Sequence, residues 1–358
     1  MLSRFIQKIF YALLTIFGVV TVIFFLFNVL PGDPAQMMLG QNQNSEQLAT
    51  VKKKYGFDQP LTRQYRYYLN DLSPVSIHSN SVDDYTFLDK SKYSYFTLLE
   101  FTNTTIVLKW PYLRESFTKQ GKKVSSVLLE TLPNTFVLAI SAIIIAIILG
   151  VLLGIISALH KDSFIDRFIQ IFSTLGMSVP SFFSAIIFAW LFGFVLHEYT
   201  NLEMTGSLYE LDDFGERKEL KLKNLILPAI VLGIRPLAVV IQLMRNSLLE
   251  VLGMDYIRTA RAKGLNNFQV IKNHALKNAL NPVVTAVSGW FASMLAGAVF
   301  VEYIFGWNGL GKEIVNALNT LDLPVIMGSV LVIAIIFISI NILVDLIYAW
   351  LDPRVKTS

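Results

Sequence analysis

The sequence predicts an all-α polytopic membrane protein, and three observations lead there. Of 358 residues, 54% are hydrophobic and 16% charged, against about 25% charged in a soluble domain. The apolar residues gather in blocks of about 20, long enough to cross a hydrocarbon core of about 30 Å as helices. Lysine and arginine crowd into alternate short connections between those blocks. The net charge of +4 is small and unevenly placed, which argues against nucleic acid as a partner. With no cysteine in the chain, disulfides, iron–sulfur clusters and thiol chemistry are excluded. His78, His160, His197 and His274 lie far apart without ligand spacing, so no metal site is expected.

Six spanning helices are expected, at about 9–30, 134–159, 168–196, 225–248, 283–304 and 325–350. Arg4 and Lys8 precede the first. Its apolar run of about 22 residues exceeds the 7–15 of a signal peptide, and Leu30-Pro31-Gly32-Asp33-Pro34 offers no small-x-small cleavage site. Residues 1–30 are therefore expected as a retained anchor. A segment over 31–133 follows, then a core of five helices over 134–350 and a short tail, 351–358.

Orientation follows from the positive-inside rule. Lys161 and Arg167 lie between the second and third spans. Arg245, Arg258, Arg261, Lys263, Lys272 and Lys277 lie around the fourth-to-fifth connection, against Glu250 and Asp255. Arg354 and Lys356 close the tail. The 197–224 connection has seven acids and four bases, and 302–324 has one base. Both termini are expected on the cytoplasmic side, with 31–133 outside.

Two spans carry small residues every fourth position: Ala142, Ala146, Gly150, Gly154 and Ala158 in the second, Thr285, Gly289, Ser293 and Gly297 in the fifth. Such stripes let another backbone approach closely. In the third span Ser173, Gly176, Pro180 and Ser184 fall on one helical face, with Ser178 and Ser181 beside it. This suits either a water-lined bend or ordinary interhelical hydrogen bonding. Arg235, next to Pro236, falls about mid-way through the fourth span. A charge there is either a pathway residue for a substrate carboxylate or a structural, snorkelling side chain.

Catalytic signals are absent from the sequence. Gly306-Trp307-Asn308-Gly309-Leu310-Gly311-Lys312 has the G-x-x-x-x-G-K spacing of a phosphate loop. Glu313, however, replaces the magnesium-binding Ser or Thr, and a membrane helix rather than a strand precedes it. No G-x-S-x-G elbow or H-E-x-x-H pair occurs. The chain is expected to be a transport subunit, not an enzyme, with any ATP used by another polypeptide.

The most informative segment is 250–281. Asp255-Tyr256-Ile257-Arg258-Thr259-Ala260-Arg261-Ala262-Lys263 forms one helical stretch, and Phe268, Ile271, Ala275 and Leu276 mark a second. They meet at Gly264, which can take the left-handed conformation of a sharp reversal. The physical reading is a short basic helix that docks in another protein's groove, with anionic lipid as the alternative ligand.

At this segment the sequence resembles the membrane subunits of ABC-type importers, and more closely the first permease type of the dipeptide/oligopeptide/nickel family. The likeness runs nearly end to end. It includes Leu30-Pro31-Gly32-Asp33-Pro34, Tyr55-Gly56-Phe57-Asp58-Gln59-Pro60-Leu61, Leu132-Pro133-Asn134-Thr135 and Ser178-Val179-Pro180-Ser181-Phe182. It continues through Ser247-Leu248-Leu249-Glu250-Val251-Leu252, Asp255 to Leu265, His274-Ala275-Leu276, Asn278-Ala279-Leu280, Asn341, Asp345, Tyr348 and Asp352-Pro353-Arg354.

The resemblance implies a type I ABC importer permease in the cytoplasmic (inner) membrane that moves di- or oligopeptides by alternating access. Its implied partners are a second permease, two ATP-binding subunits and an extracytoplasmic substrate-binding protein. ATP and magnesium would be used by those ATPases. Asp255, Tyr256, Arg258, Ala260, Arg261, Lys263, Gly264, Leu265, His274 and Ala275 would form the ATPase-coupling loop. Ser178, Pro180, Ser181 and Arg235 are the candidate pathway residues.

The chain departs from the family pattern in places. Asn308 stands where proline is expected, predicting a looser turn, and Gln242 where a base is expected before Arg245. Arg258 and Thr259 replace the general Glu and Ala, as is usual in the peptide branch. About 40 residues, 73–112, read as an insertion rich in Tyr and Phe, with a strand-like Thr104–Trp110, expected to form an external α+β lobe. A nickel or other small-solute importer is the nearest alternative. An ion-driven carrier or channel would need intramembrane ion ligands or an inverted repeat, and neither is visible.

Overall fold

The computed structural model describes residues 2–29, 34–39, 44–82, 84–119, 121–212 and 214–351. Residues 30–33 of the Leu-Pro-Gly-Asp motif and the tail 352–358 lie outside the described residues, as do the side chains of Arg4, Asp345 and Tyr348.

In chain order, helices α1 (Leu2–Val29), α2 (Pro34–Leu39), α3 (Ser45–Tyr55) and α4 (Leu61–Leu72) lead into strands β1 (Val75–Ser79), β2 (Tyr95–Glu100) and β3 (Thr104–Lys109). Then come α5 (Val124–Leu159), α6 (Phe164–Ser178), α7 (Ser181–Trp190) with a π-helical turn over Leu191–Val195, and α8 (His197–Thr200). A short hairpin, β4 (Tyr209–Leu211) and β5 (Lys218–Leu220), precedes α9 (Lys223–Leu252), α10 (Asp255–Ala262) and α11 (Asn267–Val270). A π turn at Ile271–Ala275 joins α11 to α12 (Leu276–Ala279). Helices α13 (Asn281–Gly297), α14 (Val299–Ile304), α15 (Leu310–Thr320) and α16 (Leu323–Leu351) complete the chain.

The fold is predominantly helical, but the described helices differ from six simple spans. Four are long and apolar enough to cross a membrane, five if one bent pair counts as a span. That pair is the expected third span. Its halves, Phe164–Ser178 and Ser181–Val195, meet at 109°. Pro180 lacks an N–H and drives Val179 out of the helical region, to φ −81°, ψ 129°. Ser173 and Gly176 therefore do not share a continuous helical face with Ser184, as straight-helix periodicity predicts. The expected fifth span divides into α13 and α14 at Ala298, and neither piece alone reaches 18 residues. The second span starts at Val124, and Pro133 lies inside the helix instead of opening it. The carbonyl it deprives of a partner belongs to Leu129, an exposed residue.

The chain divides into two compact units. One comprises Met1–Glu130 with Ile314–Ala334, the other Thr131–Glu313 with Ile335–Ser358. In the first, Phe24 of α1 is buried against Tyr65 and Tyr68 of α4, and Thr21 shares a 2.7 Å hydrogen bond with Tyr65. The strands form an antiparallel sheet in the order β1-β3-β2. One sheet face buries Ser76, His78, Thr105, Val107 and Lys109. The Asp71 carboxylate lies beneath it, held by Arg114 at 3.0 Å and by the Tyr93 hydroxyl at 2.9 Å. Lys109 donates to the Asp71 carbonyl and lies over the Tyr93 ring. Burial pulls its ammonium down to about 8, against the opposing attraction of Asp71.

In the second unit α9 is the central helix. The α5 stripe packs on it. A Cβ on Gly150 would lie 2.6 Å from Val240 Cγ1, and one on Gly154 would lie 2.6 Å from Met244 Cβ. Only glycine permits that approach. The α13 stripe behaves otherwise: Thr285, Gly289 and Ser293 are exposed, and nothing lies within 4 Å of a Cβ placed on Gly289.

Candidate functional site

The lower end of α9 turns at Gly253-Met254 into the segment 255–281. Helix α10 buries Ile257 and Ala260 against Leu248 and Val251 of α9, with Val270, Ala275 and Ala279 completing the same apolar cluster. Asp255, Tyr256, Arg258, Arg261 and Lys263 are exposed. This amphipathic division follows from helical spacing: positions 257 and 260 share one face, and the bases occupy the others.

Gly264 ends α10 with φ +83°. A Cβ there would meet nothing within 4 Å, so the glycine serves backbone conformation, not close packing. The Gly264 N–H donates to the Arg261 carbonyl at 2.9 Å and Leu265 N–H to Ala260 at 3.4 Å, the paired bonds of a Schellman ending. Immediately beyond, Asn266 and Gln269 form a capping box: Gln269 N–H donates to Asn266 Oδ1 at 2.9 Å, and Asn266 N–H to Gln269 Oε1 at 3.2 Å. The reversal is thus fixed from both sides. Sequence reasoning found the glycine and missed the box, although the N-x-x-Q spacing was its signal.

The second stretch is not one regular α-helix. The π turn at Ile271–Ala275 adds a residue to a turn, so Phe268 projects outward, 71% exposed, while Ala275 is fully buried. His274 is exposed, and Lys272 lies 5.9 Å from the Phe268 ring centre. Asn278 donates to the Tyr256 hydroxyl at 2.8 Å, tying the two stretches together. The only ion pair on this surface among the described residues is Arg258–Asp255, at 3.4 Å with both side chains largely exposed; such a pair contributes little. The segment offers a rigid, positively charged ridge with one protruding aromatic ring.

At the base of α9, Arg245 grips Asp166 of α6 through Nε–Oδ1 and Nη2–Oδ2 bonds of 2.7 and 2.6 Å. Ser157 and the Asp162 amide also donate to that carboxylate. A lone carboxylate in a sequence gives no sign of such a partner 79 positions away, and this anchor was missed.

The phosphate-loop look-alike is filled by a carboxyl group of the chain itself. The buried Glu302 carboxylate accepts from the Gly311 and Lys312 amides at 2.6 and 3.3 Å, at the N-terminus of α15. Thr135 Oγ1 takes the Leu310 N–H. A Cβ on Gly309 would overlap the Glu302 carboxylate. The expected loosening at Asn308 is not found. Its N–H donates to Ser207, its carbonyl accepts from Asn134, and its side-chain oxygen accepts from Lys312.

Of the candidate pathway residues, Ser178 is exposed and donates to the Thr174 carbonyl at 2.9 Å. Pro180 and Ser181 begin α7 across the bend. Arg235 is exposed on α9. The bend meets α9 through Gly176, whose Cβ would lie 2.9 Å from Ile234 Cγ2. The structure thus brings the bend and Arg235 into neighbouring turns.

A family profile described as a binding-protein-dependent transport system inner membrane component matches residues 150–357. The profile of that system's membrane-component N-terminal region matches 1–83. The chain belongs to this transport family. It is 33% identical to the dipeptide transport system permease protein DppB of Alkalihalophilus pseudofirmus, over 99% of this chain and all of that one. It is likewise 33% identical to DppB of Bacillus subtilis, over 99% and 98% of the two chains. Identity is 32% to a di/tripeptide permease protein of Pseudomonas aeruginosa, over 99% of each. As a member of the family this chain is a multi-pass membrane transport subunit.

Proposed function

We propose that the chain is the first permease of an ATP-driven importer for di- or oligopeptides. It would work by alternating access with a second permease, two ATP-binding subunits and an extracytoplasmic substrate-binding protein. The observation that carries the reading is the 255–281 ridge: a basic surface on an apolar base, locked at Gly264 by a Schellman ending and a capping box. Such a rigid element can transmit a push, where a flexible loop would absorb it. In this reading it is the coupling helix seated on an ATPase subunit. Closure of the ATPase pair on ATP moves it and reorients the helices attached through α9 and α13. ATP and magnesium belong to the partner subunits.

The relatives named as dipeptide permeases match along nearly their whole length, which supports peptides over nickel as cargo. Type I importer architecture, the inner membrane and cytoplasmic termini belong to the same proposal, with 31–133 and its sheet outside. Co-purification from native membranes tests it. A second permease and ATP-binding subunits should be recovered with the chain, and vesicles holding the complex should take up labelled dipeptide with ATP. Recovery of the chain alone, under conditions that hold known complexes together, would overturn the reading.

A further inference from the structure

Helix α9 is buried on most sides, and its open side is polar. Arg235, Asn246 and Glu250 are exposed, and Val239 and Gln242 are half-buried. At about 100° per residue, positions 235, 239, 242, 246 and 250 fall within an arc of about 80°, along about 22 Å of helix. All five lie within the span-length helix Lys223–Leu252, four of them before its last turn. The exposed residues of α5 and α7 are of another kind: Ile144, Ile148 and Leu152, and Phe182, Phe183 and Ile186. Those surfaces suit lipid.

Among the described residues, Arg235 has neither an ion-pair nor a hydrogen-bond partner in the chain. A charged group at that depth does not face hydrocarbon. The helices α6 and α13, which pack on α9, also expose hydroxyl-bearing or small residues, Thr174 and Ser178, then Thr285, Gly289 and Ser293, beside apolar ones such as Leu175 and Val284. Asn246 is oriented by Arg245, whose Nη1 donates to its side-chain oxygen at 3.4 Å while the same guanidinium holds Asp166. The polar side of α9 is thus a built feature with a fixed lower end.

We infer that the Arg235–Gln242–Asn246–Glu250 face of α9 lines the aqueous translocation path, with Arg235 holding the carboxylate of the passing solute at mid-depth. This rests on the importer reading and adds to it a wall and a point of charge recognition. Gln242 and Asn246 offer neutral donors and acceptors below Arg235, so a carboxylate released there meets no second fixed cation on this face. The acidic Glu250 at the lower end favours the departing ammonium end of a peptide.

The chain has no cysteine, so single cysteines report water access directly. Gln242→Cys, Asn246→Cys and, as the lipid-facing control, Ile148→Cys would be made in the whole transporter in inside-out vesicles. Each is treated with an anionic thiosulfonate, a cationic thiosulfonate and membrane-soluble N-ethylmaleimide. Gln242→Cys and Asn246→Cys should react with the charged reagents, and Ile148→Cys with N-ethylmaleimide alone. Adding Arg235→Gln to Gln242→Cys should slow the anionic reagent about tenfold without slowing the cationic one, and Arg235→Lys should restore the rate. Reaction of Gln242→Cys with N-ethylmaleimide alone, or with no reagent, would overturn the inference. So would equal effects of Arg235→Gln on both charged reagents. The readout needs no peptide transport, so a labelled path without peptide uptake would count against the importer reading alone.

Discussion

Arg245 closes a two-pronged hydrogen bond on Asp166, joining the lower end of α9 to the first turn of α6 at 2.6 and 2.7 Å. The carboxylate is nearly fully buried, 3% exposed, and the guanidinium 18%. Arg245→Ala would leave a buried anion with only Ser157 and the Asp162 amide, a loss of about 3 kcal/mol. Arg245→Lys would retain the charge but not the fork, and should recover part of it. Thermal unfolding of the detergent-solubilised protein, with the Asp166→Ala double-mutant cycle, checks this. A coupling near zero would contradict the geometry.

Gly264 needs its positive φ and nothing else. Gly264→Val should leave membrane insertion intact, strain the reversal by about 1–2 kcal/mol, and abolish ATP-dependent uptake. Gly264→Asn, which tolerates the left-handed region, should keep most of the activity. Membrane abundance measured beside uptake separates loss of coupling from loss of protein.

The Glu302 carboxylate occupies the space a side chain on Gly309 would need. Gly309→Ala should therefore destabilise the protein by about 1–3 kcal/mol through overpacking. Asn308→Pro should cost about 1 kcal/mol by removing the bond to Ser207, although proline is what the family pattern leads one to expect there. Melting temperatures of the two variants, compared with wild type, test both.

In the sheet lobe, Lys109 titrates at about 8, below its ordinary 10.5. Between those values the unfolded chain binds a proton that the folded chain does not, so stability rises with pH across that window. Below pH 8 the folded chain carries the full cost of burying the charge. Resistance of the lobe to limited proteolysis should increase from pH 8 to 10, and Lys109→Met should flatten that dependence. An unchanged slope in the variant would place the titration elsewhere.

Much of the helical frame was legible because its signal is local. A run such as Ile143 to Ile148 reads as a span whatever surrounds it, and the spacing of Gly150 and Gly154 anticipated the close approach of Val240 and Met244. Gly264 was legible for a related reason: a basic helix followed by glycine encodes its own ending. The third span misled because Pro180 admits either a kink or a full break, and periodicity assumes the helix continues. The π turn at Ile271–Ala275 was invisible, since neighbouring packing decides whether a turn takes an extra residue.

By itself, then, the sequence determined composition, the apolar helices, the crowding of its bases into alternate connections and the reversal at Gly264, all of which depend on neighbours within a few positions. Tertiary structure alone decided what meets across long separations: that Asp166 has Arg245, that the Gly309 turn encloses Glu302, and that the open side of α9 is its polar one. The physical reason is the same in each case. Hydropathy and backbone preference act along the chain, whereas desolvation and charge pairing depend on what the fold places opposite each group.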